Sequence, residues 1–207
     1  MRRTPLLILL LLAAPALHAQ EPHMGFTIDL IGPVGDFSSK TYPAVGTFPI
    51  AKDDYDIGLG ASFTLSFPME RALAIRMNLN FNSNDGQHFE AGNDYNLRHT
   101  MFSAGGDLQI FPGQGAYRHR GFYFLGGVSA DFETFDRSFG DPNYDYTSTS
   151  RKSRLGGQVG FGHSFGRDAG ARFTLEVTYH TTLTDHKVEA GDPPATSFVK
   201  AGFGWVF

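Results

Sequence analysis

A run of thirteen residues, from residue 55 to residue 67, alternates strictly between apolar and polar or small side chains. The apolar set is Tyr55, Ile57, Leu59, Ala61, Phe63, Leu65 and Phe67. Successive side chains of a β-strand point to opposite faces, whereas an α-helix repeats every 3.6 residues, so no helix produces this pattern. The run therefore predicts a strand with one apolar face and one polar face.

The same alternation recurs in seven further segments, each near the roughly 9–11 residues that a tilted strand needs to cross a bilayer. They lie at 25–30, 73–81, 102–110, 122–132, 154–165, 172–179 and 199–207. An even number of such strands is typical of bacterial membrane barrels. The sequence therefore predicts an all-β fold, an eight-stranded antiparallel up-and-down transmembrane β-barrel.

The connections between these segments alternate in length, which is a second feature of membrane barrels. Short connections are predicted at 68–71, 112–120 and 166–170. Long loops are predicted at 33–54, 82–96, 133–152 and 181–196. All long loops then lie at one end of the barrel, and both termini lie at the other.

Alternation alone leaves open which face points inward, and a soluble barrel of the lipocalin kind would place its large aromatics inside. Here the polar face is rich in glycine, serine and threonine, which suits a narrow lumen. Aromatic residues also recur near strand ends, as they do at membrane interfaces. They are Tyr55, Phe67, Phe81, Phe111, Phe132, Phe165, Tyr179, Trp205 and Phe207. We predict that the apolar face contacts lipid.

The N-terminus carries a predicted export signal and the C-terminus a predicted assembly signal. Arg2 and Arg3 precede a short apolar run at 6–14, and small residues at 17–19 suit cleavage, so residues 1–19 are predicted to be a signal peptide and 20–207 the barrel domain. The last residues resemble the C-terminal signal that the barrel-assembly machinery reads. That signal comprises Lys200, Gly202, Phe203, Trp205 and Phe207.

In its signal peptide, strand number, loop asymmetry and terminal signal, the chain resembles a group of small eight-stranded outer-membrane barrels. The group includes the OmpA transmembrane domain, OmpX and OmpW. The resemblance implies residence in the outer membrane of a Gram-negative bacterium, contact with its lipids and lipopolysaccharide, and a monomeric state. The group contains structural proteins, adhesins, narrow channels and lipid enzymes, so the resemblance leaves function open.

Composition excludes several functional classes. The formal net charge is −4, and loss of Arg2 and Arg3 with the signal peptide would leave −6, so nucleic acid is not an expected partner. There is no cysteine, and no phosphate loop, zinc ligand set or dinucleotide motif is present. We therefore expect no cofactor and no metal.

Charged residues on the polar face are predicted to form a network in the lumen. They are Asp29, Asp56, Arg76, Asp107, Asp131, Arg154, Arg172, Glu176 and Lys200. Arg76 and Glu176 are both near mid-strand and should lie at a similar depth. Interlocked pairs would rigidify a closed barrel, and a pair that exchanges partners would gate a thin pore.

Three functions follow for a barrel of this kind. The first is a structural or surface-interaction role through the exterior loops, where Tyr144 and Tyr146 offer contact surface. The second is a narrow channel for small or hydrophobic solutes. The third is a lipid A-modifying enzyme, for which His163 is in phase with the lipid face and His180 with the lumen. We expect a protein without enzymatic activity.

Overall fold

All eight predicted strands are present in the computed structural model, which describes residues 22–42, 51–70, 72–90, 93–112, 121–139, 147–166, 171–184 and 195–207. The signal peptide predicted at 1–19 lies outside the described residues. The strands are β1 (His23–Pro33), β2 (Ser39–Tyr42), β3 (Ala51–Tyr55), β4 (Gly58–Glu70), β5 (Leu73–Glu90), β6 (Asn93–Ile110), β7 (Gly121–Phe139), β8 (Thr147–Phe165), β9 (Arg172–Thr182) and β10 (Ser197–Val206).

The sheet closes on itself as an antiparallel barrel. From β4 to β10 each strand pairs with the next strand along the chain, β1 pairs with β4, and β10 returns to pair with β1 from Gly25↔Val206 to Pro33↔Phe198. β3 and β4 both pair with β5, one after the other, so they form a single wall. In the part of the chain that the structure describes, β2 pairs with β3 alone, so eight walls enclose the lumen. The predicted fold, a closed eight-stranded up-and-down barrel, is confirmed.

The apolar face of the barrel wall points outward and the polar face inward, as contact with lipid requires. Phe63 is 46% exposed, whereas its neighbours Ser62 and Thr64, at 5% and 7%, are buried inside the barrel. A soluble barrel would show the reverse, because water expels large apolar side chains. The exposed apolar residues form a band around the barrel, which we call the apolar band. Its edge on β5 to β8, away from the chain termini, is formed by Phe81, Phe102, Phe132 and Leu155.

The alternation reverses phase between β3 and β4. Tyr55 pairs with Gly86 and Leu59 with Ser83, so three residues on this wall oppose two on β5. One extra residue is a β-bulge, and it turns the following side chains to the other face. Tyr55 therefore points inward, where it is only 9% exposed, and the prediction that it lies at the lipid interface is wrong.

Phe111 was also predicted at the lipid interface and instead points inward. It is 4% exposed and its ring packs 5.3 Å from that of Tyr123. Phe111 directly follows Ile110, which faces lipid and is 44% exposed, so the ordinary alternation of a strand explains its direction.

Two of the predicted long loops are mostly strand. β5 and β6 are 18 residues each and remain paired up to Glu90↔Asn93, while β7 and β8 are 19 residues each. The parts of β5 to β8 that continue beyond the apolar band form a sheet, which β3 extends by pairing with the far end of β5 and β2 extends further by pairing with β3. We call this sheet the projection. Tyr144 and Tyr146 lie outside the described residues. Within the described part of the chain, no helix is long and apolar enough to span a membrane.

Candidate functional site: a packed lumen

The centre of the lumen is an ion-pair layer of one arginine between two carboxylates. Arg76 on β5 donates from Nε and Nη2 to Asp107 Oδ2 on β6, at 3.0 and 2.8 Å. Its Nη1 and Nη2 also donate to Glu176 on β9, at 2.5 and 3.1 Å. The side chains are 9%, 0% and 15% exposed. Such a desolvated arrangement is stable only because each charged group is satisfied by several hydrogen bonds.

Uncharged side chains complete the hydrogen bonding of this layer. Asn78 Nδ2 donates to Asp107 Oδ2 at 2.8 Å, and Gln158 Nε2 donates to the other oxygen at 2.5 Å. The Tyr123 hydroxyl donates to Glu176 Oε2 at 2.8 Å. Gly162 makes room for this ring, because a Cβ there would lie 2.5 Å from the phenol carbon of Tyr123. The small residues of the polar face thus allow the lumen to be filled.

A second polar group lies next to the closing seam between β1 and β10. Ser62 Oγ donates to Asp29 Oδ2 at 2.6 Å, and Lys200 Nζ is 4.0 Å from the same oxygen. Lys200 also donates to Asn80 Oδ1 on β5, across the lumen, at 3.3 Å. Asn80 in turn donates to Asn78 Oδ1 at 3.0 Å, so this group is joined to the ion-pair layer.

Two more carboxylates are buried toward the loop end, the end of the barrel away from the termini. Asp131 accepts hydrogen bonds from Ser129 at 2.7 Å and makes a 2.9 Å contact with His180 Nε2. Glu133 Oε2 accepts from Thr196 Oγ1 at 2.9 Å and from Arg154 Nη1 at 3.3 Å. Strands β7, β8 and β9 and the residue before β10 contribute to these contacts, so the walls are cross-linked here as well.

An apolar cap closes the loop end above these carboxylates. The connection after β1 turns at Gly35, whose φ of 62° suits glycine, into a 3-10 helix (Gly35–Phe37) that inserts Phe37 into the lumen. The Phe37 ring stacks on Tyr55 at 4.8 Å and is fully buried. The apolar cap consists of Ile31, Phe37, Tyr55, Leu97, Met101, Phe135 and Phe198.

His99 is buried within the apolar cap, three residues beyond Phe102 and outside the apolar band. Its ring lies 4.6 Å from that of Phe135 and 4.9 Å from that of Phe37, and neither ring nitrogen has a hydrogen-bond partner. Burial, reinforced by the positive charge of Arg154, lowers the pKa of His99 to about 3. The ring is therefore neutral at physiological pH.

A vestibule opens at the other end of the lumen, below the ion-pair layer. Its cavity is about 40 Å³, and its polar lining includes Arg76, Gln109, Tyr123, Ser164, Arg172 and Glu176. A volume of this size holds one or a few water molecules. The ion-pair layer forms the inner wall of the vestibule, and the packed groups described above separate it from the apolar cap.

Eight of the nine residues predicted for the lumen network point into the barrel. They are Asp29, Arg76, Asp107, Asp131, Arg154, Arg172, Glu176 and Lys200. Asp56 lies outside the network: it is exposed, because it belongs to the bulge between β3 and β4 that reverses the phase. Arg172 lines the vestibule rather than the ion-pair layer.

Several lumen residues were not predicted from charge on the polar face. Asn78, Asn80 and Gln158 are uncharged, yet their period-two spacing on the polar face was a usable signal. Glu133 was assigned to a loop, and His99 lay beyond the predicted strand. No sequence signal distinguishes Glu133 and His99 from loop residues, because beyond the apolar band the outward-facing positions of the strands are polar as well.

The two histidines considered for lipid chemistry lie in different environments. His163 is on the outer wall, half-buried, with its ring 4.1 Å from that of Phe165. His180 is 2% exposed inside the lumen, and its ring stacks on Phe198 at 4.8 Å. Among the described residues, no group of three or more His, Cys, Asp or Glu side chains could hold a metal ion.

The last strand, β10, and the residue after it contribute side chains to the inner and outer faces of the barrel wall and close the barrel against β1. Lys200 and Gly202 face the lumen, whereas Phe203, Trp205 and Phe207 are 40%, 39% and 65% exposed on the outer wall. The backbone N–H of Phe207 donates to the Met24 carbonyl at 2.7 Å, and the reciprocal bond is 3.2 Å. The chain terminus therefore completes the seam with β1.

A closed barrel with an apolar outer band and a polar, packed lumen defines an integral membrane β-barrel. Residues 4–207 match the family described as the outer membrane protein beta-barrel domain, and the chain belongs to this family. The resemblance to small outer-membrane barrels, stated from the sequence, is confirmed.

Solved structures with the same fold have low sequence identity to this chain. OprG from Pseudomonas aeruginosa has a TM-score of 0.51 and 14% identity over 92% of this chain and 97% of its own. Ail from Yersinia pestis has a TM-score of 0.49 and 11% identity, over 90% and 96%. Neisserial surface protein A has a TM-score of 0.47 and 13% identity, over 91% and 97%. At this identity the likeness to OprG concerns the fold alone. No curated protein matches the chain.

Proposed function

We propose that this protein is a non-enzymatic structural or surface-interaction protein of a Gram-negative outer membrane, which presents the projection to partners outside the cell. In this proposal residues 1–19 direct export, and the chain termini lie in the periplasm. The apolar band contacts membrane lipid and the protein is a monomer. The barrel-assembly machinery recognises the last strand through Phe203, Trp205 and Phe207.

The observation that carries the proposal is the length of β5 to β8. Pairing continues past the apolar band to Glu90↔Asn93 between β5 and β6, and to Tyr95↔Phe139 between β6 and β7. A hydrogen-bonded sheet is ordered before any partner arrives, so binding to it costs less conformational entropy than binding to a flexible loop. β1, β9 and β10 end much nearer the band, whereas β2 and β3 lie beside β5 in the projection, so the projection is one-sided.

The packed lumen favours an interaction role rather than the function of a permanently open channel. The ion-pair layer and the apolar cap are separate obstructions at different depths. A narrow channel remains the second candidate, because Arg76 binds two carboxylates and could exchange one for the other. The enzyme candidate has less support, since His180 is held by Asp131 inside the lumen.

The test shortens one hairpin of the projection without disturbing the barrel. Residues 137–148 are replaced by Asn-Gly, which joins the cross-strand partners Asp136 and Thr149 through a two-residue turn. Bacteria producing either form are assayed for self-sedimentation and for attachment to fibronectin and to collagen. A matched control replaces residues 114–119, in the connection between β6 and β7, by the same dipeptide.

We expect the wild type to promote at least one of these behaviours and the shortened hairpin to abolish it, with the control unchanged. A heat-dependent gel shift verifies that each variant folds. If the full-length protein promotes none of them, or the shortened form is as active as the wild type, the projection is not an interaction surface for these probes and the proposal fails.

A further inference from the structure

Buried polar atoms without a hydrogen-bond partner are concentrated in one part of the lumen. In the described part of the chain, seven buried side-chain nitrogen and oxygen atoms lack a partner, and six of them belong to Asn82, Asn84, His99 and Glu133. The seventh is Nδ1 of His163 on the outer wall. An unsatisfied buried polar atom has lost its bonds to water without compensation, so such atoms are rare in native proteins. A cluster of six therefore indicates a site whose occupant supplies the missing bonds.

The four side chains occupy neighbouring inward positions on β5, β6 and β7. Asn84 on β5 pairs directly with His99 on β6, and the Cβ atoms of such a pair are about 4.5–5.5 Å apart. Met101 on β6 pairs with Asn82 on one side and with Glu133 of β7 on the other. All five side chains belong to residues that are at most 1% exposed. The four polar side chains therefore face one part of the lumen, at the β5–β7 side of the apolar cap.

The contacts that these side chains already make hold them in positions in which they do not satisfy one another. Asn84 Nδ2 donates to the carbonyls of Asp56 at 3.0 Å and Ile31 at 3.4 Å, which fixes the amide and leaves its Oδ1 without a donor. Glu133 Oε2 accepts the two hydrogen bonds described above, which leaves its Oε1 without a donor. His99 Nε2 is 3.9 Å from Glu133 Oε2, which is too long for a direct hydrogen bond but within the reach of a bridging water molecule.

We propose that Asn82, Asn84, His99 and Glu133 form a buried water site, in which a cluster of ordered water molecules joins the apolar cap to the wall formed by β5 to β7. The water supplies the hydrogen bonds that the six unsatisfied atoms lack. The inference goes beyond the proposed function, which concerns the projection and partners outside the cell.

The mixture of donors and acceptors identifies the occupant as water. Asn82 Nδ2 and one nitrogen of the neutral His99 ring are donors. The acceptors are Asn82 Oδ1, Asn84 Oδ1, Glu133 Oε1 and the other nitrogen of His99. A metal cation would satisfy only the acceptors, and an anion only the donors. Water donates as well as accepts, and a buried water molecule makes about three hydrogen bonds to groups of this kind.

Radiolytic footprinting of the refolded full-length barrel tests the site, because an X-ray pulse converts bound water to hydroxyl radicals that oxidise adjacent side chains. Met101 is the reporter, since it lies between Asn82 and Glu133, is 1% exposed and forms a sulfoxide on oxidation. The matched control is Phe198→Met, because Phe198 is equally buried in the apolar cap but lies on β10, against His180. Sulfoxide at both positions of this variant is quantified by mass spectrometry in the same sample.

We expect Met101 to be oxidised several times faster than the methionine introduced at position 198, because only Met101 lies beside the proposed water. Wild type should show the same rate of oxidation at Met101 as the variant does. Equal rates at the two positions, or no oxidation at Met101, would overturn the proposal.

A second variant separates a hydrated site from a dry one by the sign of its effect on stability. Asn82→Leu replaces the amide by an apolar group of similar shape. Removal of a dry, unsatisfied amide relieves a desolvation penalty and raises the midpoint of urea unfolding, whereas removal of a hydrated amide leaves the other members of the cluster unsatisfied and lowers it. We expect a lower midpoint, slower oxidation of Met101 and a normal heat-dependent gel shift. An equal or higher midpoint, or oxidation of Met101 at the wild-type rate, would overturn the assignment of Asn82 to the site.

Discussion

Arg76 on β5 and Glu176 on β9 are joined by two hydrogen bonds across the lumen, of 2.5 and 3.1 Å. Three strands separate β5 from β9 in either direction around the barrel, so the pair connects diametrically opposite walls. Arg76 also binds Asp107 on the adjacent strand β6. A cross-link of this kind opposes flattening of the barrel as well as opening of the lumen.

Removal of Arg76 should destabilise the barrel strongly. Arg76→Leu leaves Asp107 and Glu176 buried without their cation, and breaking a buried pair from one side costs about 3–5 kcal/mol. We expect a lower midpoint of urea unfolding, followed through the fluorescence of Trp205, the single tryptophan. Arg98→Leu serves as control, because its partner Asp85 is exposed and the loss should be small. Equal unfolding midpoints for Arg76→Leu and wild type would show that Arg76 does not stabilise the barrel.

The lumen should stay closed when only one obstruction is removed. In planar bilayers we expect no stable conductance from wild type and little from Arg76→Leu, because the apolar cap still closes the loop end. Arg76→Leu combined with Phe37→Ala should open measurable events, since Phe37 fills the centre of the cap. Steady conductance by the wild type would instead favour the channel as the function.

His99 should make the stability of the cap depend on pH. Its pKa is about 3 in the folded protein, below the ordinary value of 6.5, so folding favours the neutral ring. The stabilisation is complete above pH 6.5 and is lost progressively as the pH falls from 6.5 toward 3. We expect His99→Phe to lose less stability than wild type between pH 7.5 and pH 4.5 in urea unfolding.

A histidine on the outer wall provides the comparison for that measurement. His163→Phe removes an imidazole that contacts Phe165 outside the lumen, so its pH profile should follow that of the wild type. If His99→Phe and wild type respond to acid in parallel, His99 is not the group responsible.

Deletion of Phe207 should reduce assembly in cells far more than it reduces the stability of the refolded barrel. The deletion removes the two backbone hydrogen bonds to Met24, worth together about 1–3 kcal/mol, so the barrel refolded in vitro should be weakened but intact. In cells we expect a much larger loss of the heat-shifted form if the terminal residue is read by the assembly machinery. Phe207→Ala keeps the backbone bonds, and assembly at the wild-type level by this variant would argue against recognition of the aromatic ring.

Prediction from sequence succeeded where the two-residue period of a strand was sufficient to decide which side chains point inward. The strand at 199–207 places Lys200 inside and Phe203 outside, as the alternation required. It failed at Tyr55 and Asp56, because one inserted residue reverses the faces without changing the composition. It also failed for Glu133 and His99, since beyond the apolar band the outward residues become polar and the strand resembles a loop.

The sequence by itself determined that this chain forms eight alternating strands, because strand periodicity is a local property. The small residues of the polar face and the aromatic residues at strand ends then indicated that the apolar side contacts lipid. Only the tertiary structure decided the bulge between β3 and β4, the length of the projection and the partners of each buried charge. Those features depend on pairing between residues distant in the chain, such as Arg76 with Glu176. Register and closure select such contacts, and no local pattern encodes them.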